Sequence, residues 1–244
     1  MTVQCLVISD IHANLAALEA VLDDTPEFDE LWCLGDLVGY GPKPNECIDR
    51  VRSFPHTSLA GNHDWAALGK LSLSSFNAIA RIANEWTQQE LTASSRSYLN
   101  RLSPSLELQG FTLAHGSPRE PVWEYIMDAG TAHRNFEHFS TPFCLVGHTH
   151  VPVLFKLDEE SARAEVVLPP LPEPLGLGPE RAIINPGSVG QPRDGDPRAS
   201  YAILDTDEMT WEFRRVSYPI EITQERMRAK GLPQRLIDRL QVGR

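Results

Sequence analysis

At 244 residues, with 41% hydrophobic and 23% charged residues, the chain has an ordinary globular composition and enough length to bury a full core. A formal charge of −11 argues against general binding to nucleic acid or anionic membranes, which favours basic surfaces. No apolar stretch approaches the ~20 residues of a membrane helix. Met1–Asp10 has no basic region ahead of its apolar run, so it reads as a first strand rather than a signal peptide, and the cytoplasm is the expected location.

Val3–Ser9 is apolar except at Gln4, as expected of a strand buried on both faces. Asn14 can cap a helix whose apolar positions are Leu15, Leu18, Val21 and Leu22. Leu31–Leu34 predicts a second strand, ending at Gly35-Asp36. Pro44 suits the first turn of a helix carrying Cys47, Ile48 and Val51. Thr57–Ala60 predicts a third strand, running into Gly61-Asn62-His63-Asp64. This order of strand, helix, strand, helix, strand implies a parallel sheet core.

From Trp65 to Asn100 the pattern is helical, and Ile79, Ile82 and Trp86 recur at the spacing of a core stripe. Leu106–Leu113 predicts a strand pair or one bent strand leading to His115, and Phe143–Val146 a buried strand leading to Gly147-His148-Thr149-His150. Short strands at 151–157, 165–168, 183–184, 201–204 and 211–216 suggest an antiparallel or mixed second sheet. The end, from Ile220, reads as helical. Leu168–Pro179 is rich in Pro and Gly and reads as a surface loop inside a single domain spanning residues 1–244. The four cysteines, Cys5, Cys33, Cys47 and Cys144, show no CxxC spacing, and most lie in apolar runs, so neither a disulfide framework nor a zinc-thiolate site is expected.

The polar clusters fall where apolar strands end. Asp10 and His12 follow the first, Asp36 the second, Asn62-His63-Asp64 the third, His115 a fourth, and His148 and His150 a fifth. Sites in open α/β sheets form at the carboxyl ends of strands, so five strand ends can bring these residues to one place. Each alone is more simply a turn, a cap or a satisfied histidine. Independent turns do not explain the joint pattern. Hard oxygen and borderline nitrogen donors in this number suit Mn, Fe, Zn, Ni or Co, and they are too many for one ion. Two ions sharing one carboxylate would account for them.

In these segments the chain resembles the calcineurin-like metallophosphoesterase superfamily. Asp10-Ile11-His12, Gly35-Asp36, Gly61-Asn62-His63-Asp64, His115-Gly116 and Gly147-His148-Thr149-His150 stand in family order, and Asn185-Pro186-Gly187-Ser188-Val189-Gly190 looks like its small bacterial and archaeal phosphodiesterase branch. The resemblance implies an α/β fold, a four-layer αββα sandwich of two mixed β-sheets. It implies that Asp10, His12 and His150 bind one ion, that Asp36 bridges, and that Asn62, His115 and His148 complete the second. The cofactors would be two divalent metal ions, Mn first, with Fe, Zn, Ni, Co or Mg as alternatives. His63 would face the substrate as a catalytic residue, held by Asp64.

Two ions ~3.5–4 Å apart can share a water and lower its pKa toward neutrality. His63, with an ordinary pKa of about 6.5, fits a group that protonates the leaving oxygen. The ions also make the site locally positive inside an acidic protein, which suits an anionic substrate. Three weaker substrate-binding candidates are Tyr40, in the turn past Asp36, Arg193, in the loop after Ser188, and Arg119, just past His115. The expected reaction is hydrolysis of a phosphodiester or phosphomonoester, with the diester favoured. The partner would be a small phosphoester, nucleotides among the candidates. The rival readings are a nuclease, which should show a basic track or stacking surface, and a non-catalytic scaffold, which should have lost a ligand or His63.

Overall fold

The computed structural model describes residues 3–158, 163–168 and 173–244. Two mixed six-stranded sheets pack face to face, flanked by helices. In chain order the strands are β1 (Gln4–Ile8), β2 (Glu30–Cys33), β3 (His56–Ser58), β4 (Ser105–Leu108), β5 (Phe111–Ala114), β6 (Phe143–Val146), β7 (Val153–Asp158), β8 (Arg163–Val167), β9 (Leu175–Gly176), β10 (Ala182–Asn185), β11 (Ala199–Asp205) and β12 (Thr210–Val216). The helices are α1 (Leu15–Asp24), α2 (Pro44–Arg52), α3 (Asn62–Ala67), α4 (Ala78–Glu90), α5 (Ala93–Asn100), α6 (Ala129–Asn135), α7 (Ile220–Ala229) and α8 (Gln234–Asp238).

The first sheet runs β3-β2-β1-β11-β12-β9 and the second β4-β5-β6-β10-β7-β8. In the first, β1, β2 and β3 are parallel; in the second, β5, β6 and β10 are. Side chains alternate across a strand, and here each face meets a different partner. Cys5 and Val7 of β1, with Trp32 of β2, point into the layer between the sheets, where they meet Phe111, Leu113, Phe143 and Leu145. Leu6 and Ile8 point outward under α1 and α2, against Leu18, Val21, Ile48 and Val51. On the far side Cys144, Val146 and Phe155 lie under Ala132 and Phe136. With both faces covered, these strands carry apolar residues at successive positions, and each fully buried large side chain contributes ~1.5–3 kcal/mol. Trp32 is fully buried with its ring edge on Phe111, 5.7 Å between centroids, so Trp32→Ala should cost ~3–5 kcal/mol.

Three expectations need correction, and one helix was not foreseen. The late strands β11 and β12 do not extend the second sheet; β11 pairs antiparallel with β1 and completes the first. The Pro-rich stretch 168–179 is not all loop, because Leu175–Gly176 pairs with β12, while residues 169–172 lie outside the described ones. The buried face of α4 is Ala80, Ala83, Asn84 and Thr87; Ile82 is 47% exposed, and Ile79 and Trp86 are only partly buried against the C-terminal helices. Helix α6 has too few apolar residues for periodicity to reveal it; Asp128 caps it, accepting from the Thr131 N–H at 2.9 Å. No helix among the described residues is long and apolar enough to cross a membrane.

Candidate metal centre

The carboxyl ends of β1, β2, β3, β5 and β6 meet along one edge of the packed sheets; the loops leaving them carry Asp10, His12, Asp36, His115, His148 and His150, and the first residues of α3 are Asn62 and His63, all buried. These loops are conformationally costly. Asp10, His12, Asp36, His148 and His150 have φ of 53, 48, 53, 65 and 62°, and neighbouring Ala13 and Tyr40 are also left-handed. Such residues cost of order 1–3 kcal/mol each and persist only where the surroundings fix them. Here the loop 185–190 does much of the fixing. Its Val189 and Gly190 N–H groups donate to the carbonyls of Ser9 and Asp10, each at 3.0 Å, and Ser188 Oγ donates to Asp10 O at 2.8 Å. Asn185 Nδ2 donates to Gly147 O at 2.7 Å, holding the start of the segment that carries His148 and His150. Any side chain at Gly190 would strike the Ile11 carbonyl, and one at Gly61 would strike the Asp36 carboxylate.

Two groups of donors result: Asp10 with His12 and His150, and Asp36 with His115 and His148, the ligand atoms of each group lying within 4.8 Å of one another. Asp36 spans the two, with Oδ2 3.6 Å from His12 Nε2 and 3.5 Å from His115 Nε2. Three rings are aimed by main-chain carbonyls that accept from Nδ1–H: Val38 O for His12 at 3.1 Å, Leu34 O for His115 at 2.8 Å, and Gln191 O for His150 at 2.6 Å. That tautomer turns each Nε2 lone pair inward. Asn62 Oδ1 approaches His115 Nε2 at 3.2 Å.

The donor atoms face one another as acceptors. His12 Nε2 and His150 Nε2 are 3.1 Å apart, and His150 Nε2 lies 3.2 Å from Asp10 Oδ1. Each carboxylate keeps one oxygen tied. Asp10 Oδ2 accepts from Ser9 Oγ at 2.7 Å and the His148 N–H at 3.0 Å, and Asp36 Oδ1 accepts from the His63 N–H at 2.9 Å. Their other oxygens, Asp10 Oδ1 and Asp36 Oδ2, are buried without a hydrogen-bond partner, as is His148 Nε2. Unsatisfied buried acceptors are expensive, and lone pairs converging at this range repel unless a cation lies among them. Burial lowers the pKa of His12, His115, His148 and His150, that of His150 to about 4, so these rings are neutral and free to ligate. Burial, with the charges of Asp64 and Asp10, raises Asp36, an excess of negative charge that cations would relieve. The residues fit two divalent ions.

His63 lies beside this centre, its ring edge-on to His12 at 5.0 Å. Its expected partner, Asp64, is engaged elsewhere, accepting main-chain N–H groups of Gly61, Val38 and Leu37 at 2.9, 3.1 and 3.3 Å. Asn84 of α4 takes that place, its Oδ1 3.0 Å from His63 Nδ1. A polar residue on the buried face of a helix was the available signal, but Asn84 stands 21 residues beyond His63 and nothing local linked them. Burial holds the His63 pKa down to about 3, so the resting ring is neutral.

Of the three weaker candidates, Tyr40 and Arg193 overhang the centre. The Tyr40 ring sits 4.6 Å from His12 and 4.3 Å from His63, and the Arg193 guanidinium lies 6.0 Å from the Tyr40 ring. Arg119 does not join them; its guanidinium is bound by Glu124, which also accepts from Ser117 Oγ at 2.7 Å and Asn135 Nδ2 at 2.8 Å. The ion pair instead fastens the loop carrying Trp123 and Tyr125, residues the sequence did not single out. The Tyr125 ring stacks on His148 at 3.9 Å. Trp123 meets Phe76, which in turn abuts His63, at 5.1 and 5.2 Å. Tyr125 and Trp123 are 46% and 37% exposed and form an aromatic rim.

Residues 3–209 match the model of the calcineurin-like phosphoesterase superfamily domain. A metallophosphoesterase structure from Sphaerobacter thermophilus is 49% identical, with a TM-score of 0.92 and complete coverage of both chains. An uncharacterised protein of Methanocaldococcus jannaschii is 38% identical over 98% of this chain and 97% of its own. A symmetrical bis(5′-nucleosyl)-tetraphosphatase of Erwinia tasmaniensis is 40% identical over 63 residues, 24% of this chain and 23% of that protein.

Proposed function

The chain belongs to the calcineurin-like phosphoesterase superfamily, and from that premise we propose that it is a metal-dependent phosphodiesterase acting on small substrates, with phosphomonoesters as poorer ones. The observation that carries this reading is the set of partnerless inward atoms, Asp10 Oδ1, Asp36 Oδ2 and His148 Nε2, ringed by neutral imidazoles. Asp10, His12 and His150 would hold one ion, Asn62, His115 and His148 the other, with Asp36 between them. The donor set accepts several metals, and manganese suits its mixture of oxygen and nitrogen. When bound, the two ions lower the pKa of a shared water and draw charge from the phosphoryl oxygens.

The side chains do the rest. His63, fixed through Nδ1 by Asn84, presents Nε2 to the ester. The ring is neutral at rest, and an arriving anionic phosphoester raises its pKa, so that it takes up a proton with the substrate and delivers it to the leaving oxygen. Arg193 and Tyr40 contact the non-bridging oxygens, and Arg193 is the more important because its fork suits phosphate. The rim of Phe76, Trp123 and Tyr125 favours a planar organic arm, as in an aryl or nucleoside ester, over a bare phosphate. The short similarity to a nucleosyl-tetraphosphatase agrees with a nucleotide. A long polynucleotide is disfavoured by the charge of −11.

The test is turnover of bis(p-nitrophenyl) phosphate and p-nitrophenyl phosphate by protein loaded with Mn²⁺, then with other ions in turn. The expected result is a higher kcat/KM for the diester, abolished by chelation and restored by metal. Faster cleavage of long DNA or RNA than of either ester, or no turnover with any ion, would overturn the reading.

A further inference from the structure

Residues 210–244 lie beyond the segment that matches the family model, yet two of them, Tyr218 and Thr223, are bonded to the turn that carries His12. The junction is Asn14, a buried residue that caps α1. Its Nδ2 donates to Gly190 O at 3.0 Å and to the Tyr218 hydroxyl at 3.2 Å. Its Oδ1 accepts from the Thr223 hydroxyl at 2.8 Å and from the Ala17 N–H at 3.3 Å. A side-chain amide has two N–H donors and two acceptor lone pairs, so this one is fully engaged. Capping α1 uses only the bond from Ala17. The other three tie the turn to the loop 185–190 and to the C-terminal segment. Thr223 belongs to α7, which is itself fixed: Gln224 Nε2 donates to Ile237 O at 2.8 Å, and Met227 packs with Leu236, Leu240 and Tyr40.

The junction adjoins every donor of one group. The Gly190 N–H holds the Asp10 carbonyl at 3.0 Å, and the next residue's carbonyl, Gln191 O, aims His150. His12 stands two residues before Asn14, in a turn closed by the Asn14 N–H on Ile11 O at 3.0 Å, with Asp10, His12 and Ala13 all left-handed. The second group is aimed from elsewhere: His115 by Leu34 O, Asp36 by the His63 N–H, and the start of the His148 segment by Asn185. We propose that Asn14, Tyr218 and Thr223 are positioning residues, through which the C-terminal segment sets how tightly the ion at Asp10, His12 and His150 is held. This goes beyond the family-matched core and rests on the two-ion part of the proposed function. A strained turn keeps its geometry only as firmly as its surroundings fix it. Removing the outer partners of metal ligands weakens binding by about 10- to 100-fold.

Metal-depleted, full-length protein is titrated with buffered Zn²⁺ while imidazole ¹⁵N NMR signals are followed, those of His12 and His150 for one ion and those of His115 and His148 for the other. Tyr218→Phe combined with Thr223→Val removes both C-terminal bonds and leaves Asn14, Gly190 and every ligand in place. The free zinc that half-saturates His12 and His150 should rise about tenfold or more, and that for His115 and His148 less than about threefold. Thr223→Val alone should raise the first by about threefold, which keeps the test open if the double variant does not fold. Thr223→Ser, which keeps the hydroxyl, should bind both ions as the wild type does. Phe213→Leu, in the layer between the sheets, should lower the unfolding temperature without moving either zinc midpoint. Equal weakening of both ions, no weakening in a folded variant, or the same weakening in Phe213→Leu overturns the proposal. Wild-type protein that takes up no ion refutes the metal centre and the proposal together. The readout needs no turnover, so a failure of the phosphodiesterase reading shows separately, in the ester assay.

Discussion

The His63 N–H donates to Asp36 Oδ1 at 2.9 Å, so one carboxylate secures the start of α3 with one oxygen and faces His12 and His115 with the other. Replacing Asp36 should therefore be felt at both ions and at His63. Asp36→Asn keeps an oxygen for the His63 N–H but loses the bridging charge, and should hold fewer than one ion per chain by elemental analysis. Asp36→Ala should bind as little metal and also loosen α3. Two ions per chain in either variant would count against the bridge.

His63→Ala should leave metal content nearly unchanged while turnover falls by roughly 10²-fold or more, the usual scale for a proton donor. Asn84→Leu, which removes the acceptor at Nδ1, should lower turnover by about tenfold, the scale of one lost hydrogen bond. Loss of both metals from His63→Ala would make that histidine a ligand.

Tyr125 backs His148 with its ring. Tyr125→Phe keeps the stack, and Tyr125→Ala removes it. The KM for bis(p-nitrophenyl) phosphate should rise about 2- to 12-fold in the alanine variant, the range expected for one aromatic stack, and less in the phenylalanine variant. Equal KM values in all three proteins would remove Tyr125 from the substrate's path.

The Glu124 cluster sets an acid limit on the loop bearing Trp123 and Tyr125. Burial opposes its charge, but hydrogen bonds from Arg119, Asn135 and Ser117 hold its pKa down to about 2, against an ordinary 4.5. A carboxylate depressed in the folded state adds stability that is fully present above its unfolded pKa and lost as pH falls through 4.5 toward 2. Glu124→Gln should lower the urea midpoint at pH 7 and reduce its further fall between pH 5 and pH 3. An unchanged midpoint at pH 7 would show that the cluster contributes nothing.

Much of the site was readable in the sequence because its donors stand directly after apolar strands: Asp10 two residues past Ile8, His115 one past Ala114, His148 two past Val146. Local patterns of that kind survive without knowledge of tertiary contacts. The support for the site was not readable. Asn84 and Tyr125 reach it from 21 residues beyond His63 and 23 residues before His148, on α4 and the loop before α6. Their own neighbourhoods carry no motif. The sheet assignment of β11 and β12 was hidden for the same reason, since pairing with β1 joins opposite ends of the chain and strand alternation is blind to partner.

Anomalous diffraction from crystals loaded with Mn²⁺ shows directly whether two cations sit within one shell of donors. Two peaks ~3.5–4 Å apart should appear, one against His12 and His150, the other against His115 and His148, with Asp36 touching both. A single peak, or peaks away from these residues, would contradict the account.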